Sequence, residues 1–171
     1  TFLSAISAAR PKIADYPFTT LYPNLGVVGI DGKEFVMADI PGLIEGAHNG
    51  AGLGHRFLGH VERCRILLHL IDATGDNPIA AWRTLREELK AYGGDLFDKP
   101  ELVALTKLDA TPEDYAAELT AALEDAGAGK VMRMSSVTGA GVTATLRQLI
   151  KVIEDSRAEE KMAEEVEPWS P

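Results

Sequence analysis

Ile66-Leu67-Leu68-His69-Leu70-Ile71-Asp72 is an apolar run of strand length closed by an aspartate, and Leu102-Val103-Ala104-Leu105-Thr106-Lys107-Leu108-Asp109 repeats the plan further along the chain. Runs of this kind, apolar without regular polar alternation, suit strands of a parallel sheet that is buried on both faces. Between them Pro78–Tyr92 has helical spacing: Pro78 suits a first turn, and Trp82, Leu85 and Leu89 share one face. The alternation then continues. Pro112–Ala126 is expected to be a helix with Thr111 as its N-cap, Lys130–Met134 a strand, and Val142–Glu154 a helix. Strands alternating with helices of this length predict an α/β fold, with helices layered on both faces of a mostly parallel sheet.

Working outward, residues 1–10 read as a helix with Phe2, Leu3 and Ile6 apolar, stopped by Pro11. Residues 12–24 form a loop. Leu25–Ile30 and Glu34–Ala38 read as strands joined by Asp31-Gly32, a strong hairpin-turn pair. A glycine-dense loop follows Asp39, carrying Gly42, Gly46, Gly50, Gly52 and Gly54, and His55–Arg63 is expected to be helical.

Composition narrows the class. At 171 residues and 46% apolar, the chain suits one globular domain with a core of its own. No apolar run approaches the ~20 residues that span a bilayer, so no integral membrane segment is expected. The net charge of −9 argues against electrostatic adhesion to nucleic acid, and no DNA partner is expected. Seven acidic residues fall in positions 154–171: Glu154, Asp155, Glu159, Glu160, Glu164, Glu165 and Glu167. That stretch reads as a solvated, partly helical acidic tail behind a domain covering 1–153. Cys64 is alone, which excludes a disulfide framework within the chain and fits a reducing cytoplasm.

In parallel α/β sheets, ligands bind beyond the carboxyl ends of strands. The residues found there have a chemistry in common. Asp39-Ile40-Pro41-Gly42 places a carboxylate fit to hold a Mg²⁺-bound water before a glycine whose backbone can approach a γ-phosphate. Thr106-Lys107-Leu108-Asp109 offers a carboxylate with two acceptors. Guanine presents two adjacent donors, N1–H and the 2-amino group, whereas adenine presents one donor and one acceptor, so Asp109 selects guanine. The aliphatic stem of Lys107 can lie over the base plane. Backbone N–H groups in Ser135-Ser136-Val137 can meet the guanine O6. In Phe18-Thr19-Thr20 a threonine hydroxyl can complete Mg²⁺ coordination when a γ-phosphate is present, which makes a nucleotide-state switch. Each motif alone is a common turn sequence; their order, each beside a strand end, is what carries weight. His48, His55, His60 and His69 show no zinc spacing and read as loop, helix-surface and strand residues.

The motifs resemble those of the translation-factor-type small GTPases and, within them, the Obg family. The stretches that carry this are Lys12-Ile13-Ala14-Asp15-Tyr16-Pro17-Phe18-Thr19-Thr20-Leu21-Tyr22-Pro23-Asn24-Leu25-Gly26, then Ala38-Asp39-Ile40-Pro41-Gly42-Leu43-Ile44-Glu45-Gly46-Ala47, and Gly52-Leu53-Gly54-His55-Arg56-Phe57-Leu58. The resemblance implies a three-layer P-loop NTPase sandwich of the Ras-like G-domain kind. It implies that Phe18, Thr19, Thr20, Leu21 and Tyr22 line the nucleotide, with Thr20 as the Mg²⁺ ligand of switch I. Asp39, holding Mg²⁺ through water, would face the γ-phosphate with Ile40, Pro41 and Gly42. Thr106, Lys107, Leu108, Asp109, Ser135, Ser136 and Val137 would bind guanine.

It further implies GTP, GDP and guanosine tetraphosphate as ligands, slow GTP hydrolysis, a cytoplasmic location, and a role with the large ribosomal subunit in assembly and in growth or stress control. Three departures stand out. The Walker A segment Gly-x-x-x-x-Gly-Lys-Ser-Thr has only its last Thr matched, by Thr1, so the first strand and the P-loop are expected to lie outside residues 1–171. A gap is then expected between residues 36–38 and 66–71, and these residues by themselves are expected to bind GTP poorly. Thr106 stands where Asn is usual. Leu43 follows Gly42 where Ras-like enzymes have a water-orienting Gln, so no catalytic residue is assigned at the start of switch II. Two other readings are a nucleotide-incompetent module that only binds a protein partner, and a DRG-type GTPase.

Overall fold

Asp31 and Gly32 both take positive φ, 51° and 76°, and turn the chain back on itself between β1 (Asn24–Ile30) and β2 (Lys33–Asp39). Two left-handed residues in a two-residue loop match the right-handed twist of the flanking strands, which is why Asp-Gly occupies this place. The antiparallel pairing runs from Asn24↔Asp39 to Ile30↔Lys33. The computed structural model describes residues 2–7, 24–39, 63–92 and 97–166. The expected 55–63 helix except Arg63, the 12–24 loop except Asn24, and the whole 40–54 loop lie outside them.

The remaining described strands are β3 (Leu67–Asp72), β4 (Glu101–Thr106) and β5 (Val131–Arg133), paired in parallel in the order β3-β4-β5. The helix α2 (Pro78–Tyr92) connects β3 to β4, and α3 (Glu113–Leu123) lies between β4 and β5. Among the described residues β1-β2 and β3-β4-β5 form two separate sheets with no hydrogen-bonded ladder between them, as the expected gap requires.

Side-chain alternation on the parallel strands builds two cores. Ile71, Val103, Leu105 and Val131 pack with Trp82 of α2 and with Leu119 and Leu123 of α3. Ala104 and Met134 pack instead with Val28 of β1, with Phe2 and Leu3 of α1 (Phe2–Ile6), and with Leu146 of α4 (Val142–Val166). Leu102, Val103, Ala104 and Leu105 are accordingly all buried, as a strand covered on both faces must be. Gly26 permits the close approach of α1: a Cβ there would lie 2.8 Å from Leu3 Cδ1 and 3.1 Å from Ser7 Oγ.

Four helix boundaries differ from the sequence reading. The first helix, expected over residues 1–10, ends at Ile6, and Ser7 is not helical. Thr111 is not the N-cap of α3. Pro112 holds that position without a side-chain cap, and the Thr111 hydroxyl donates to Lys107 O at 3.0 Å. The α3 helix closes in a single wide turn over Glu124–Ala128, where Gly127 takes φ 99°. The last helix does not stop at Glu154 but continues to Val166. Its exposed face finds charge partners that periodicity cannot show: Arg147 pairs with Asp31 at 2.7 and 3.1 Å, Glu154 with Lys33, and Glu160 with Arg65. His69, expected on a strand, is buried there, 2.9 Å from Glu101, whose other oxygen takes Arg86 at 3.0 Å.

Candidate nucleotide-binding site

The carboxyl ends of β3, β4 and β5 converge on one set of loops. In-register pairing puts Asp72 opposite Thr106, so the residues that follow each strand emerge side by side. Ala73 N–H donates to Thr106 O at 3.2 Å, Met134 N–H to Leu105 O at 2.9 Å, and Leu108 N–H to Met134 O at 3.5 Å. These bonds continue the sheet for one residue beyond the strands and fix the starting points of both loops.

Thr106 sits where the family pattern has Asn. Its hydroxyl donates to Ile71 O at 3.1 Å and ties β4 to β3. Lys107 next takes the left-handed conformation, φ 60° and ψ 36°. A non-glycine residue there costs free energy and persists only where its surroundings over-determine it. They do so here: Lys107 O accepts from Ala110 N–H at 3.0 Å and from the Thr111 hydroxyl at 3.0 Å. A single turn of helix over Leu108–Ala110 then carries Asp109.

Asp109 is held from β5. Ser135 is 1% exposed, and its hydroxyl donates to Asp109 Oδ1 at 2.5 Å while accepting from Thr138 N–H at 3.2 Å. The accepting bond orients the hydroxyl proton towards the carboxylate. Sequence reasoning assigned this loop a role through its backbone amides; the serine side chain has an evident task of its own. The Ser135 amide donates to Ala140 O at 2.9 Å, which leaves the Ser136 and Val137 amides as the candidates for guanine O6. Val137 is 83% exposed at the loop tip.

Glycine closes the loop. Gly141 takes φ 72°, and a Cβ on it would lie 1.9 Å from Arg133 O, so nothing larger fits while the chain turns from β5 into α4. Thr145, fully buried in the first turns of that helix, donates its hydroxyl to Gly141 O at 2.9 Å.

Asp72 was not among the candidate residues. Its Oδ1 accepts the Thr74 amide at 2.9 Å and the Thr74 hydroxyl at 2.6 Å, and its Oδ2 meets Lys107 Nζ at 2.5 Å. Partial burial pushes this carboxyl up, but the Lys107 ammonium and the two Thr74 bonds outweigh it and leave its pKa below the usual aspartate range. The available signal was its place at the end of an apolar strand, the same position Asp39 holds at the end of β2.

Asp39 is half-buried at the end of β2, opposite Asn24, in the two-stranded sheet. Phe18, Thr19, Thr20, Leu21, Tyr22, Ile40, Pro41, Gly42 and Leu43 lie outside the described residues. The structure therefore brings together Asp109 and Ser135 on the base side, and has Asp39 at the end of a strand in the other sheet. No group of three or more His, Cys, Asp or Glu residues able to hold a metal occurs among the described residues. A lone carboxylate such as Asp39 fits Mg²⁺ of the nucleotide-bound kind, which takes one or two protein oxygens and completes its shell with water and phosphate. No helix among the described residues is long and apolar enough to cross a membrane.

Known proteins resemble this chain in sequence and in fold. The family model described as "50S ribosome-binding GTPase" matches residues 1–107. GTPase Obg of Zymomonas mobilis subsp. mobilis is 55% identical over 175 residues, an alignment that covers 100% of this chain and 50% of that protein. The chain thus spans about half the length of that relative. Among solved structures, a putative nucleolar GTP-binding protein 1 from Plasmodium falciparum superposes with a TM-score of 0.68 at 17% identity, covering 96% of this chain and 84% of that one. The cytosolic domain of L. pneumophila FeoB gives 0.61 at 18% identity, covering 88% and 57%. At such identities these two speak for the fold, an α/β G domain. With more than half of its residues matched by the family model, the chain belongs to the 50S ribosome-binding GTPase family, as a G domain of the Obg type.

Proposed function

We propose that the protein of which these residues form the G domain is a GTP-binding and GTP-hydrolysing switch that acts on the large ribosomal subunit in the cytoplasm. The observation that carries this reading is the Asp109 carboxylate, fixed by a buried serine at 2.5 Å at the convergence of two parallel strands. A carboxylate has about four lone-pair sites. With one used by Ser135, the others can accept guanine N1–H and the 2-amino group together. Adenine would set an acceptor against an acceptor there. The ribosomal role rests on the family description and on kinship to a protein named GTPase Obg. The G domain proper ends near residue 153, and residues 154–171 form its acidic continuation.

On the phosphate side, Asp39 and Thr20 are the proposed holders of Mg²⁺, which when bound neutralises charge building on the β- and γ-phosphates. Phe18–Tyr22 line the nucleotide, and Ile40, Pro41 and Gly42 face the γ-phosphate, with the Gly42 backbone N–H free to approach it. Leu43 offers no hydrogen bond to an attacking water. Hydrolysis is slow without a second group or a partner that supplies one.

Substituting the base reader tests the proposal. In the full-length protein, Asp109→Asn exchanges one acceptor for a donor and suits the 2-oxo group of xanthine. GTP affinity should fall roughly 10- to 100-fold, as expected for losing a hydrogen bond to a charged group, while XTP affinity rises. Competition binding with the two nucleotides reads both. An unchanged GTP preference removes Asp109 from the base site and the proposal with it.

A further inference from the structure

We propose that Asp72, itself fixed by Thr74, is a positioning residue that aims the Lys107 side chain across the guanine base. The inference rests on the base-site reading above and names a partner for its lysine that the recognition motif does not contain.

Topology brings the groups together. Asp72 is opposite Thr106 in the parallel ladder, and Lys107, the next residue, takes the left-handed conformation as the chain leaves β4. The two carboxylate oxygens have divided tasks. Oδ1 is taken by the amide and hydroxyl of Thr74, two residues on in the same chain, which stops the carboxyl group from rotating. Oδ2 is thereby presented to Lys107 Nζ at 2.5 Å. A lysine stem has four flexible carbons and ordinarily samples many rotamers, so a base that stacks on it must first order it. With its ammonium tethered and its backbone locked, the stem is ordered before nucleotide arrives, and the ordering penalty is removed from binding.

The side chains of Lys107 and Asp72 are 60% and 42% exposed. Exposed ion pairs are weak and screened by salt, so the expected effect is modest: nucleotide dissociation faster by about two- to fivefold in Asp72→Ala at low ionic strength, shrinking as salt is added. Base choice should stay with GTP, because Asp109 is untouched. The decisive readout is coupling. In the full-length protein, GDP release is measured for Asp72→Ala, Lys107→Ala and the double variant, with Thr74→Val as a weaker member of the series. If Asp72 acts through Lys107, the double variant releases GDP no faster than Lys107→Ala alone. Additive losses overturn the proposal and leave Asp72 a structural residue. Asp72→Asn is close to isosteric and keeps an acceptor for Thr74; it should fall between the parent and Asp72→Ala, and it carries the same cycle if the alanine variant loses native hydrogen exchange. Release from Asp72→Asn as slow as from the parent also counts against the ion pair. The two readings fail separately. Unchanged GTP preference in Asp109→Asn removes the base site, whereas a normal Asp109→Asn response combined with additive Asp72 and Lys107 effects removes only the positioning role.

Discussion

Two ends of this molecule are held by polar contacts, and the contacts are of opposite kinds. At the carboxyl ends of the parallel strands, Ser135 and Thr145 are 1% and 0% exposed, and both make side-chain hydrogen bonds within the 135–145 segment or to Asp109. At the hairpin turn, Asp31 and Arg147 meet through two hydrogen bonds, but their side chains are 54% and 60% exposed. A buried donor that loses its acceptor keeps the whole desolvation penalty, whereas an exposed pair that separates is solvated at once. The 135–145 segment is therefore built for one geometry, which a base-reading loop requires, although the Lys107–Asp72 pair beside it is exposed. The hairpin end can part and re-form with little loss.

The largest expected effect tests the rigid end through its tightest backbone approach. Gly141→Ala adds a Cβ 1.9 Å from Arg133 O at a residue with φ 72°, so neither the space nor the backbone conformation accommodates it. Backbone strain and overpacking together should destabilise the 131–145 region by roughly 2–4 kcal/mol. Hydrogen exchange across β5 and the first turns of α4 measures this, and guanine affinity should fall as the 135–138 loop shifts. Protection within about 0.5 kcal/mol of the parent, near the floor for surface substitutions, would mean that the loop yields and that this end is not rigid.

Ser135→Ala comes next. It removes the donor from Asp109 and the acceptor from Thr138 N–H without adding bulk. Loss of this part-buried hydrogen bond, whose carboxylate partner is exposed and can be solvated, should cost about 0.5–1.5 kcal/mol. Because Asp109 is then free to rotate, the penalty should appear in guanine affinity as well as in stability. Titration with GDP beside a denaturation series separates the two. A variant that loses stability and keeps full affinity would show that Asp109 is positioned by its own turn of helix and not by Ser135.

The same contrast explains what could be read in the sequence. The parallel strands announced themselves because burial on both faces demands apolar runs such as Leu102–Leu105, and the Asp31-Gly32 turn because few residue pairs accept two positive φ values. The base-side residues were legible as types at strand ends. Their partners were not. Ser135 reaches Asp109 from 26 residues away, and Lys107 reaches Asp72 across the parallel ladder, contacts that local spacing does not encode. The N-cap assignment failed by one residue: Pro112 holds that position, and the Thr111 hydroxyl turns back to donate to the Lys107 carbonyl. The end of α4 was misplaced for a related reason: apolar periodicity fades after Ile153, and the later turns meet the hairpin and Arg65 through charges that look like solvated surface.

The smallest expected effect belongs to the exposed end and concerns pH. The Arg147 guanidinium bonds Asp31 and holds its carboxyl below the usual aspartate range against a smaller upward push from burial; Lys33 adds to the lowering. A depressed carboxylate pKa contributes stability that is fully present above the unfolded-state pKa, about 4 for aspartate. The contribution is lost as pH falls through the lower folded-state value. Asp31→Asn removes this titration while keeping an acceptor for the guanidinium and a side chain that tolerates positive φ. The parent should therefore be slightly the more stable of the two at neutral pH and low salt. The difference should disappear both in high salt and on acidification below pH ~4. Urea midpoints of parent and variant across pH and ionic strength read it. A gap that persists in strong salt would show that the Asp31–Arg147 contact is held as firmly as Ser135–Asp109, and the division of the molecule into a rigid and a yielding end would then fail.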